Sequence, residues 1–153
     1  MTGEKNHLYY MEYAIKLAQE AAAQGEVPVG AVIVQEGTII GQGYNQCEQR
    51  QDPTAHAEIL AIQAACRKLH RWRLSDCTLY VTLEPCPMCA GAIVAARMQR
   101  VVFGCDDSLW GGAGSIFHVL QHPACAHPVE VIGGIAALSC QTLLQDFFQQ
   151  KRK

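Results

Sequence analysis

The order of hydrophobic patterns along the chain predicts an α/β fold: a mainly parallel sheet covered by helices on both faces, with the first hairpin supplying an antiparallel member. Three observations carry this expectation. Helix-like and strand-like stretches alternate through the sequence. The strand-like stretches are short apolar runs, as expected of strands buried on both faces. Two of them are separated by only two turn-forming residues, as in a hairpin.

Each element has its own justification. Leu8, Met11, Ile15, Ala18 and Ala22 follow helical spacing, and Gly25 supplies a stop. The stretch "VGAVIVQEGTIIGQGYN" reads as two strands joined at Glu36 and Gly37. Pro53 or Thr54 is expected to start a second helix, with Ile59, Ile62, Cys66 and Leu69 as its inward stripe. "TLYVT" at 78–82 is a strand. "PCPMCAGAIVAAR" after it is a helix so uniformly apolar that burial on most sides is expected. "RVVFG" at 100–104 is a further strand, "DDSLWGGAGS" a glycine-rich loop, "VEVI" at 129–132 a last strand, and residues 135–153 an amphipathic helix.

At 153 residues, half of them apolar, the chain is expected to form a single domain over 1–153 with one core. No run approaches the ~18 apolar residues of a membrane helix. The start, "MTGEKNHLYY", lacks the basic-then-apolar pattern of a secretory signal, so a cytoplasmic location without membrane contact is expected. Eight cysteines are then expected to stay reduced, as metal ligands or small buried hydrophobes, instead of forming a disulfide framework.

The net charge of −2 does not advertise a nucleic-acid binder, but its distribution is uneven. Residues 1–52 carry seven acids and three bases, whereas 53–153 carry seven acids and nine bases. "RKLHRWR" at 67–73 and "KRK" at 151–153 hold much of the positive charge. Both fit helix C-termini, which favour cations, equally well as binding surfaces.

The chemistry concentrates in two motifs. In "EPCPMCAG", Cys86 and Cys89 lie three apart on one helix face, where the positive helix end favours thiolates. Taken alone, such a pair suits a metal, a redox exchange or a structural role. His56, in "DPTAHAEIL", lies at another strand-to-helix junction, and open α/β sheets gather their sites at such junctions. A His with two Cys makes three ligands, and three ligands leave one position of a tetrahedral zinc open, as catalytic sites require. Water in that position ionises near pH ~7. Glu58, two residues after His56, is the candidate to move protons from the first helical turn. Glu84 fits either a residue orienting a ligand or a cap of the cysteine helix, and Thr54 either a helix cap or a support for the loop beyond Asn45.

"HAE", followed thirty positions after His56 by "PCPMC", resembles the zinc-dependent nucleoside and nucleobase deaminases. Together with "EVPVGAVIV", "GYN", "TLYVTLEPCPMCAGAI", "RVVFG", "GAGS" and "LLQDFF", the pattern is similar to the bacterial tRNA-specific adenosine deaminase family over about residues 7–150. The resemblance implies a cytidine deaminase-like three-layer α/β/α sandwich around a five-stranded mixed sheet. It implies a homodimer with one Zn²⁺ per subunit, held by His56, Cys86 and Cys89. It implies that Glu58 is the general acid/base in hydrolytic deamination of adenosine to inosine at the wobble position of a tRNA anticodon stem-loop, chiefly of an arginine tRNA. Asn45 would contact the flipped nucleotide, the backbone around Val27 and Ala31 would wall the base pocket, and Asp107, Phe147, Phe148 and the basic tail would lie near the RNA. The chain departs from the family after "VVFG". Leu109 and Trp110 follow Asp107 where a lysine is common, so that Trp110 stands either as a stacking substitute or as an apolar loop anchor. Two other readings stand beside this one: a deaminase of free guanine, cytosine or cytidine with the same fold, and a non-catalytic RNA-binding subunit with structural zinc.

Overall fold

The computed structural model describes residues 5–151. Its elements run α1 (His7–Ala23), β1 (Gly30–Gln35), β2 (Thr38–Tyr44), α2 (Cys47–Arg50), α3 (Ala57–Leu69), β3 (Cys77–Leu83), α4 (Pro87–Ala95), β4 (Arg100–Cys105), β5 (Glu130–Ile132) and α5 (Ala137–Lys151). The five strands form one mixed sheet in the order β2-β1-β3-β4-β5. β1 is antiparallel to both neighbours, while β3, β4 and β5 pair in parallel. Four strands therefore point one way and β1 alone is reversed. The reversal follows from the two-residue turn at Glu36 and Gly37, whose φ values of 47° and 79° are the left-handed pair a tight hairpin demands.

Alternation along the strands fills two cores. Ala31, Ile33, Leu79, Val81, Val101 and Phe103 face α3 and α4. Val32, Val34, Tyr80 and Val102 face the other way, towards Met11 and Ala14 of α1 and Cys140 of α5. This is the expected three-layer α/β/α arrangement.

Several expectations need correction at the level of elements. α3 begins at Ala57, not at Pro53 or Thr54, because residues 51–56 form a turn and His56 is the N-cap. The short helix α2 went unforeseen. The buried residues of α3 are Ala57, Glu58, Ala61 and Ala65, with Ile62, Cys66 and Leu69 only partly buried at their edge and Ile59 partly buried outside that cluster. The reason lies in β2: a Cβ at Gly41 would stand 2.5 Å from the Ala61 carbonyl oxygen, so helix and strand approach too closely for large side chains between them. α1 is rotated likewise, burying Tyr10, Met11, Ala14, Ala18 and Ala21 while Leu8 is exposed. Finally, α4 is not buried on most sides: Cys89, Ala90 and Ile93 face the core, and Met88, Gly91 and Ala95 form an exposed edge.

All eight cysteines are free. Among the described residues no helix is long and apolar enough to cross a membrane.

Candidate active site

The carboxyl ends of β2, β3 and β4 lie at one end of the sheet, together with the amino end of the reversed β1. The chain leaving each end supplies the site: Asn45 after β2, Glu84 after β3, Asp107 after β4, and Val27 and Val29 before β1. α3 and α4 both begin here, bringing their positive N-termini together.

At that meeting point His56 Nδ1 stands 3.6 Å from Cys86 Sγ and 3.4 Å from Cys89 Sγ, and the three ligand atoms all lie within 4.8 Å of one another. Cys86 is the N-cap of α4, and Pro87 starts the helix without losing a hydrogen bond that would otherwise be made. Cys89 sits one turn on. A tetrahedral zinc with bonds of about 2.3 Å to sulfur and about 2.0 Å to nitrogen separates such donors by about 3.5 Å, so the set fits a metal ion of this kind. The cluster holds three ligands among the described residues, and it opens onto a cleft lined by His56 and Cys86.

The electrostatics suit ion binding. A hydrogen bond from Cys89 brings the Cys86 thiol down to about 4, with His56 adding to the effect against the cost of burial. Cys89 is held up by its hydrogen bond to Cys86 and by burial. The His56 imidazole is raised, first by its hydrogen bond to Cys86. Glu58 is only 4 % exposed and in contact with Cys89, and burial lifts its carboxyl to about 7.

Asn45 turns out to be structural as well as exposed to the cleft. Its Oδ1 accepts the Ala57 N–H at 2.8 Å, capping the first turn of α3 that carries His56 and Glu58. Its Nδ2 is thereby directed elsewhere. Thr54 has neither expected role, because both its N–H and its hydroxyl donate to Asp52 Oδ1. Glu84 neither orients a ligand nor caps α4. Buried at 1 % exposure, it accepts the N–H groups of Asp107, Ala113 and Ser115 and the Ser115 hydroxyl, pinning the loop that follows β4. Burial pushes its carboxyl up, but these bonds outweigh that and hold it below the usual range.

The cleft measures about 820 Å³. Val27, Val29 and Leu83 give it apolar walls, and Asp107, Trp110, Phe147, Phe148 and Lys151 line it as well. Ala31 does not: it is fully buried within the sheet, paired with Gly43 and Val81, and Val29 lines the cleft instead because the chain enters the sheet at Gly30. Arg152 and Lys153 of the basic tail lie outside the described residues. The 67–73 cluster sits at the C-terminal end of α3, a helix of 13 residues and hence about 20 Å from the site. Arg71 there pairs with Asp76, and Arg73 lies over the Trp72 ring. Glu26 had no reading in the sequence: buried at the cleft, its carboxylate accepts the Glu48 and Gln49 N–H groups and so caps α2. No local signal marked it, because the N–H groups it binds lie 22 and 23 residues further along the chain.

A His/Cys/Cys cluster with a buried glutamate beside it, at the strand ends of a five-stranded α/β/α sandwich, defines a deaminase. Residues 5–152 match the sequence model described as MafB19-like deaminase. A tRNA-specific adenosine deaminase of Bacillus subtilis is 48% identical over 144 residues, covering 94% of this chain and 89% of that one. A solved structure from work on A-to-I editing by tRNA:A34 deaminases at the wobble position of transfer RNA is 40% identical, with a TM-score of 0.86, over 89% of this chain and 99% of that one. The solved guanine deaminase of Bacillus subtilis is 42% identical with a TM-score of 0.65, over 74% of this chain and 72% of that one. The chain belongs to the MafB19-like deaminase family and to the family of the tRNA-specific adenosine deaminases.

Proposed function

We propose that the protein is a zinc-dependent hydrolase, a single catalytic domain over residues 1–153, that converts adenosine to inosine at the wobble position of a tRNA anticodon, chiefly of an arginine tRNA. The observation that carries the reading is the convergence of His56 Nδ1, Cys86 Sγ and Cys89 Sγ beside buried Glu58 at a large open cleft. These three residues would hold one Zn²⁺ per subunit. When bound there, the ion lowers the pKa of a water molecule towards ~7 and makes it a nucleophile.

The chain's own groups do the rest. Glu58 takes a proton from the attacking water and delivers it to the ring nitrogen N1 as the water oxygen bonds to C6; it then takes the remaining hydroxyl proton and passes it to the amino group, so that the C6–N6 bond breaks, ammonia leaves and inosine remains. Asn45 donates from Nδ2 to the flipped nucleotide, since its Oδ1 is committed to Ala57. Val27 and Val29 pack against the base. Asp107, Phe147, Phe148 and the basic tail meet the RNA strand, the phenylalanines by stacking. Bases of an anticodon loop are already unstacked, so extruding one costs little.

The homodimer has support in the exposed edge of α4, where Met88, Gly91 and Ala95 present small and flexible apolar groups. A tRNA substrate and free thiols both accord with a cytoplasmic location.

A second reading, deamination of free guanine, is favoured by the similarity to the Bacillus subtilis guanine deaminase. Against it stands the width of the cleft: about 820 Å³ with exposed Trp110 and Phe148 at its lining is more than one purine fills. Incubation of the purified protein with a tRNA pool and, separately, with guanine, cytosine and cytidine tests the assignment. Inosine at the wobble position is expected, with the free compounds unchanged. Conversion of guanine to xanthine without inosine in tRNA would overturn it.

A further inference from the structure

Trp110 is 61 % exposed, yet it lines the same cleft as His56 and Glu58. Its ring lies nearly parallel to that of Phe117, at 21° with centroids 6.4 Å apart, and Leu109 and Ile116 beside them are exposed too. A single exposed hydrophobic residue needs no explanation, whereas a contiguous exposed patch marks a binding surface. This one is mounted on fixed backbone. Asp107 Oδ1 accepts the N–H groups of Leu109 and Trp110, at 3.0 and 3.1 Å. The Phe117 N–H donates to the Gly111 carbonyl at 2.8 Å, and the Gly112 N–H to that of Pro85 at 2.6 Å. Beneath the loop lies Glu84, which takes four donors from it and against which Gly111 packs so closely that a Cβ there would stand 2.5 Å from Oε2. Glu84 is two residues from Cys86, so the aromatic shelf is tied to the strand end that carries the cysteines.

Building on the RNA-deaminase reading, we propose that Trp110, backed by Phe117, is a stacking platform for an unpaired base adjacent to the target adenosine, and that Glu84 is the positioning residue that holds it in place. An apolar anchor would be buried, and Trp110 is not. The shelf continues the wall of the cleft that receives the target, so the group that covers it is the next base of the same strand. Stacking on an aromatic face tolerates any base, which suits a contact beside the reacting nucleotide.

The test uses the full chain loaded with zinc and an anticodon stem-loop RNA with adenosine at the wobble position, either intact or made abasic at one neighbour of that adenosine or the other. Binding is read by fluorescence anisotropy and inosine formation separately. Trp110→Ala is expected to weaken binding and raise KM roughly tenfold, with a smaller change in kcat, and Trp110→Phe to restore most of the loss. One of the two abasic RNAs should weaken binding to the wild-type protein by a similar factor and have little further effect on Trp110→Ala, as expected when both changes remove one contact. Glu84→Gln should show the same KM-weighted loss, not additive with Trp110→Ala. Since Glu84→Gln disturbs a buried network and could unfold, the exposed Trp110 carries the decision. Wild-type binding by Trp110→Ala, or multiplicative effects of that variant and both abasic RNAs, would overturn the proposal. So would a change from dimer to monomer in Trp110→Ala, which would assign the shelf to a second copy of the chain. RNA bound by the wild-type protein without inosine would refute the catalytic reading while leaving the stacking result readable.

Discussion

Asn45 belongs to the frame of the site and, in the proposed reading, to its chemistry as well. Its carbonyl oxygen caps α3 at the turn bearing His56 and Glu58, and its amide is left to donate into the cleft. Asn45→Asp separates the two roles, because a carboxylate caps a helix N-terminus as well as an amide does but donates nothing. The variant is expected to melt within about 0.5 kcal/mol of the wild type and to retain its zinc, while inosine formation falls at least roughly tenfold. Unchanged activity would reduce Asn45 to a cap. At this scale the meeting of His56, Cys86 and Cys89 was legible in the sequence, because two cysteines one turn apart and a histidine at a second strand-to-helix junction are brought to the same end of the sheet. The buried carboxylates were not. Glu84 and Glu26 act on backbone N–H groups of segments distant in sequence, and no local pattern encodes which loop will fold over a given acid.

Among the elements, the helices were legible in number and rough position, the short α2 apart, and less so in the face they bury. A stripe of large apolar residues was the signal sought in α3, but alanines face the sheet because β2 offers glycines at Gly41 and Gly43. Close approach matters for function, since the packing of α3 on β2 sets where His56 and Glu58 stand. Gly41→Ala places a Cβ 2.5 Å from the Ala61 carbonyl oxygen, a backbone atom that cannot swing aside. Overpacking of this kind is expected to cost about 1–3 kcal/mol in denaturant titration and to weaken zinc binding in parallel. Wild-type stability and zinc affinity would show that α3 is free to move outward.

For the molecule as a whole, the reversal of β1 is decisive. It brings the chain before Gly30 to the same end as the segments after β2, β3 and β4, so that Val27 and Val29 wall the site opened by α3 and α4. The mixed sheet followed from the hairpin turn, whereas its strand order depends on packing between distant segments and was not legible in the sequence. The exposed edge of α4 is the other large-scale feature. An apolar helix with one solvent-facing side suits a partner subunit, and Ala95→Glu is expected to convert the proposed homodimer to a monomer in sedimentation velocity, whereas a persisting dimer would move the interface elsewhere. In the proposed mechanism Glu58 moves protons beside a metal it does not hold. The most direct test is Glu58→Ala, assayed for zinc content and for inosine in tRNA on the same preparation. One zinc per subunit is expected, with inosine formation slowed at least about 100-fold. Inosine formation at the wild-type rate with zinc retained would contradict it.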